Sequence, residues 1–182
     1  MIVLGIIGAV VAFGLPRFRN QQNNLKTSAR QISALFREVR NEARLKRMTY
    51  RVVFRLQDPH AYWVENAAGN ILIPSKTQQE ELLKMEEKER PPSPFQKATK
   101  FIKTEKVLPT GLKILQVETS SQNDPISEGL AYVYFTPEGL SEQTALQMTN
   151  ERQMTWTLIL NPLTGHSDIV ERALRLKDLQ TE

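Results

Sequence analysis

The sequence predicts an α+β fold: one long N-terminal α-helix packed on an antiparallel β-sheet or sandwich. Three observations predict it. Residues 1–15 carry no charge, and Pro16 follows them directly. From residue 17 to residue 47, apolar side chains recur at helical steps of three and four. After Met48 the pattern turns into short β-rich runs separated by Pro, Gly, Asn and Asp.

The opening block, MIVLGIIGAVVAFGL, admits three readings. As a complete membrane span it would reach only about 22 Å, against roughly 30 Å of hydrocarbon. As a secretory signal it offers a small-x-small site at Ala12-Phe-Gly14 but no basic residue ahead of the apolar stretch. The third reading is a longer apolar helix that has lost its beginning. Its interior favours this one. Gly5 and Ala9 are four apart, as are Gly8 and Ala12, and small residues at that spacing let helix backbones approach closely. Pro16 removes a backbone donor and is expected to kink or locally open the helix.

The helix is expected to continue past the proline. Leu25, Ala29, Ile32, Phe36, Val39 and Ala43 form one stripe, and Leu35 widens it. Ile32, Phe36, Val39 and Ala43 are the expected helix-to-sheet contacts. Residues 17–47 carry nine basic and two acidic side chains, a charge of +7 within a chain whose total is +4. A uniform nucleic-acid-binding surface would not concentrate its charge in this way. The cations lie mostly off the stripe and read as a solvated face. Sharper readings are contact of Arg17 and Arg19 with anionic lipid, or salt bridges to neighbouring subunits.

The strand-like runs come in order. Tyr50–Leu56 and Ala61–Glu65 flank a turn at Asp58-Pro59, and Ile71–Ile73 follows a turn at Ala68-Gly69-Asn70. Trp63 reads as core or half-core. Residues 75–106 break the pattern with a charged run, KTQQEELLKMEEKER, expected as a short helix and stopped by PPSP. Such an insertion reads as a solvated excursion, the alternative being a contact loop for a neighbour or cargo. Leu112–Val117 resumes the strands. Leu130–Phe135 is nearly continuously apolar and is expected to be central. Residues 141–152 are polar and read as a loop or outer strand, and Met154–Leu160 as a buried strand. Glu171–Leu179 reads as a terminal helix or frayed tail. The expected organisation is therefore an apolar helix at 1–16, its amphipathic continuation at 17–48, a β domain at 49–170 containing the 75–106 insertion, and a tail at 171–182.

Two sets of residues carry a family resemblance. The apolar block with internal glycine and terminal proline runs without a break into an amphipathic helix and a β-rich domain, and this resembles the type IV pilin superfamily. Phe135-Thr-Pro137-Glu-Gly139, and Asn161-Pro162-Leu-Thr-Gly165 with Ile169 beyond, resemble turn elements of H-type minor pseudopilins of type II secretion and related minor pilins. The resemblance implies a pilin-like fold and a low-abundance filament subunit. It implies storage in the bacterial inner membrane as a single-pass protein with the β domain in the periplasm, and processing and methylation of a precursor by a prepilin peptidase. The partners implied are other pilin or pseudopilin subunits and inner-membrane lipid. Assembly would use Gly5, Gly8, Ala9, Ala12 and Pro16. The family's cleavage glycine and near-terminal glutamate would lie upstream of Met1 and are assigned to no residue here.

Chemistry is sparse. There is no nucleophile elbow, phosphate loop, zinc-protease helix or dinucleotide fingerprint. With no cysteine, thiolate catalysis and Cys-ligated zinc are excluded. The two histidines, His60 and His166, sit in or beside turns far apart in sequence. The chain is read as non-enzymatic, with no catalytic residue, cofactor or metal expected. Two alternatives stand beside the filament reading: a DNA-uptake minor pilin, and a secreted, non-enzymatic binding domain. Against the first, the basic residues of the tail ERALRLKDLQTE are balanced by acids, with no interleaved aromatic.

Overall fold

In the computed structural model the backbone is described for residues 2–73, 78, 92–122 and 124–180, and side chains are described from Asn24 to Leu179 within those spans. The chain starts in helix α1, Ile2–Lys46. Leu25, Ala29, Ile32, Phe36, Val39 and Ala43 are each fully buried, so the stripe expected from spacing is the face that packs. Arg47 ends the helix in the left-handed conformation (φ 52°), and the Met48 amide turns back to the Ala43 carbonyl at 3.2 Å.

Among the described residues nine strands follow: β1 Thr49–Arg55, β2 Ala61–Ala67, β3 Gln96–Lys97, β4 Lys106–Val107, β5 Leu112–Thr119, β6 Leu130–Phe135, β7 Thr144–Asn150, β8 Thr155–Leu160 and β9 Ser167–Val170. A 3₁₀ turn, Leu176–Gln180, closes the described chain. The strands form two antiparallel sheets. One has the order β3-β2-β1-β6, with β4 also on β2, and the other β5-β7-β8-β9. Strands β1 and β2 pair as a hairpin with Val52 opposite Val64 and Phe54 opposite Tyr62. On the other flank of β1, Val52 faces Val133 and Phe54 faces Ala131 of β6.

The expected class is corrected here. Among the described residues the folded body is mostly β, two antiparallel sheets with one α-helix of more than a turn, and not an α+β arrangement of a long helix on a sheet. The helix enters the core through only a short stretch, Leu25 to Ala43, while most other core side chains come from the two sheets and a few, Leu56, Ala98 and Leu108, from just beyond strand ends. Phe36 stands where these parts meet. Its ring is edge-on to Phe54 at 6.1 Å and tilted against Phe135 at 5.8 Å.

Four local expectations are also corrected. Leu130–Phe135 lies at the edge of its sheet, and β1 is the strand flanked on both sides. Residues 144–150 form an inner strand that is buried throughout. Ile71–Ile73 is not a strand, and Leu72 is 86% exposed. The tail is pinned to the second sheet: the Thr157 hydroxyl donates to the Arg172 carbonyl (2.7 Å), the Gln147 amide to the Leu174 carbonyl (2.8 Å), and the Leu176 amide to Glu118 (3.0 Å). The charged helix expected at 76–90 lies outside the described residues except for Gln78, which is helical.

Candidate functional site

The two family-like turns come together on one point of α1. In the first, Phe135 is fully buried at the end of β6, the Thr136 amide bonds the Leu140 carbonyl (2.8 Å), and the Gly139 amide bonds the Thr136 carbonyl (2.8 Å). In the second, Asn161 Oδ1 accepts from the amides of Leu163 (3.0 Å) and Thr164 (3.1 Å), and the Gly165 amide returns to the Asn161 carbonyl (2.9 Å). An amide of one turn bonds a carbonyl of the other, Ser141 to Pro162, at 3.0 Å.

One helix residue holds both. Arg40 donates from Nε to the Gly139 carbonyl and from Nη2 to the Leu163 carbonyl, each at 2.7 Å. A guanidinium suits this work because its planar fork presents several donors at fixed angles. Glycine is required at both turns for two reasons. Gly139 (φ 82°) and Gly165 (φ 68°) are left-handed, which costs little without a Cβ. A Cβ would also fall on the Arg44 side chain at Gly139 and on Arg40 Cδ at Gly165.

Next to the first turn, Glu142 is buried and seals the free edge of β6. Its Oε2 accepts from the Tyr134 amide (3.1 Å), while its own amide donates to the Tyr134 carbonyl (3.3 Å). Burial pushes its carboxyl above the ordinary range, against opposing hydrogen bonds from the Ser121 side chain and the Tyr134 amide. Such a group ionises less readily in the fold than in the unfolded chain. It therefore destabilises the fold once pH rises past the unfolded carboxyl's pKa, and has no such effect below it. Glu142→Gln keeps an acceptor for Tyr134 and removes the charge. It is expected to raise Tm near pH 7 and to leave Tm unchanged near pH 3, read by thermal denaturation at both pH values. A loss of Tm at both would show that the carboxyl group, neutral as well as charged, holds the edge in a way the amide does not.

Other expected site residues divide cleanly. Ile32, Phe36, Val39 and Ala43 are buried against the sheets, and Phe135, Pro137, Gly139, Pro162 and Gly165 lie in the two turns. Gly5, Gly8, Ala9, Ala12, Pro16, Arg17 and Arg19 lie on α1, and their side chains fall outside the described residues. Arg40 belongs to the cations read as a solvated face or as salt bridges to neighbouring subunits; it instead binds the two turns of its own chain. Glu42 is buried on the same helix and bound to Lys100, within the 75–106 insertion, at 2.6 Å. Trp63 is half-buried, donating its indole N–H to Glu65 at 2.8 Å.

Among the described residues no group of three His, Asp or Glu side chains could hold a metal ion. Among them, too, no helix is long and apolar enough to cross a membrane. No protein-family model matches the chain, and neither does any curated protein or solved structure.

Proposed function

We propose that the chain is a minor pilin or pseudopilin subunit of a type II secretion or type IV pilus-like filament, assembling through its N-terminal helix. The observation that carries this reading is the continuity of α1 from Ile2 to Lys46, together with the seating of its later part in the β body at the two glycine turns. A helix gripped at one end by a folded body transmits position to its other end, as a filament subunit requires. In the proposed assembly Ile2, Val3, Leu4, Ile6, Ile7, Val10, Val11 and Phe13 bury against neighbouring helices. Gly5, Gly8, Ala9 and Ala12 admit close approach, and Pro16 lets the helix bend on leaving lipid. Before assembly the apolar segment rests in the inner membrane, with the β body on the extracytoplasmic side.

The DNA-uptake alternative gains nothing from the tail, where Arg175 is spent on Glu118 at 3.5 Å. The secreted-domain alternative differs in the fate of residues 1–15. Because the chain has no cysteine of its own, Ala9→Cys places a single thiol on the proposed seam. In cells expressing the chain from its native locus, it is expected to fractionate with the inner membrane and, on oxidation, to cross-link to a pilin-like subunit carrying a matching cysteine. Recovery of the chain in the soluble extracytoplasmic fraction, uncross-linked, would refute the assignment.

A further inference from the structure

A cavity of about 420 Å³, within the range of small-ligand sites, opens where the tail crosses the start of β8. The assembly reading makes no use of it. Gln153, Met154 and Trp156 line one side, and Glu171 and Ala173 the other. Hydrogen bonds fix the backbone on both sides. Asn150 Oδ1 accepts from the amides of Arg152 (3.0 Å) and Met154 (3.1 Å), which sets the turn entering β8. That turn holds Gln153 in the left-handed conformation (φ 61°), which few residues with a side chain adopt. On the tail side the Thr157 hydroxyl donates to the Arg172 carbonyl (2.7 Å) and accepts from the Leu174 amide (3.1 Å).

Trp156 gives the cavity its chemistry. It is 3% exposed, and its side chain belongs to the core. A tryptophan buried this deeply ordinarily spends its indole N–H on an acceptor. Trp63, the other tryptophan, does so by donating to Glu65. The Trp156 N–H has no acceptor among the described residues, yet it is not one of the unpaired atoms closed off from solvent. The part of Trp156 left uncovered faces this cavity. An open donor at the floor of a cavity calls for an acceptor on a ligand. Beside it the half-buried Met154 offers an apolar surface. At the rim the exposed Glu171 carboxylate and Gln153 carboxamide can accept hydroxyl protons. Arg172, next in the chain, offsets the charge of Glu171, so a neutral ligand is favoured. The complement of these groups is a carbonyl bearing a small apolar group, carried on a frame of hydroxyls.

We propose that this cavity binds an N-acetylated sugar unit. The acetamido carbonyl accepts from the Trp156 indole, the acetyl methyl packs on Met154, and ring hydroxyls donate to Glu171 and Gln153. The proposal is independent of what the N-terminal helix assembles with.

The test titrates N-acetylglucosamine into the full chain, held in a detergent without a sugar headgroup, and follows the indole N–H resonances of both tryptophans. The Trp156 resonance is expected to move downfield and to saturate as its N–H gains an acceptor. The Trp63 resonance, already paired, is expected to stay in place and serves as the internal reference. Glucose, which lacks the acetamido group, is expected to bind at least about tenfold more weakly. Glu171→Ala, a change at an exposed position, is expected to weaken binding of N-acetylglucosamine about tenfold. An unmoved Trp156 resonance, equal movement of both resonances, equal binding of glucose, or unchanged affinity in Glu171→Ala would each overturn the proposal.

Discussion

Replacing Phe36 by alanine is expected to lower the free energy of unfolding by about 3–5 kcal/mol. The ring is fully buried, and it touches Phe54 of β1 and Phe135 of β6. Removing it forfeits the transfer energy of the side chain and leaves a void that those rings cannot close, since each is fixed in a paired strand. The edge-on geometry with Phe54 adds about 0.5–1.5 kcal/mol beyond buried area. Phe36→Leu, which keeps most of the volume, is expected to cost about 1 kcal/mol. Urea titration of both variants decides the matter. A loss below about 1 kcal/mol for Phe36→Ala would mean that the helix and the first sheet do not share a core.

The second large effect is expected at Arg40. Arg40→Met keeps the aliphatic length but leaves the Gly139 and Leu163 carbonyls without their donor. Hydrogen bonds from a charged group contribute about 1.5–3 kcal/mol each when well shielded. The side chain here is partly exposed, so a combined loss of about 2–3 kcal/mol is expected. Arg40→Lys keeps the charge but not the fork, and is expected to recover less than half of it. Hydrogen exchange gives a sharper reading than global stability. The amides of Gly139 and Gly165 should lose protection in Arg40→Met while those of β1 and β2 keep theirs. Uniform loss across both sheets would contradict a local clamp.

The parts of the fold legible in the sequence are those governed by periodicity. The stripe from Leu25 to Ala43 obeys a helical step, and every member is buried. Strands β1, β2, β5, β6 and β8 fall close to where β-rich runs end in turn residues. What periodicity cannot supply is the number of sheets or the weight of the helix in the core, because alternation along a strand says which side is covered and not by what.

The misreadings follow from that. Leu130–Phe135 looks central because nearly all its residues are apolar. It is an edge strand whose outer side is covered by Arg51 and Phe95 and whose open backbone is capped by Glu142. Residues 144–150 look external because they include Thr144, Gln147, Thr149 and Asn150. Those side chains are buried, Gln147 by its bond to the tail at Leu174. In both cases the covering group lies many residues away, where local pattern has no access to it. The candidate site shows the same division. Its two glycine turns were marked by composition, but Arg40, which joins them, is 99 residues from one and 123 from the other along the chain.

The filament reading depends on the fate of the opening apolar residues. The mass and N-terminal sequence of the chain isolated from its native cell envelope test this most directly. The account expects residues 2–15 to be retained in the mature, membrane-associated protein. A mature chain that begins near Leu15 and is freely soluble would contradict it.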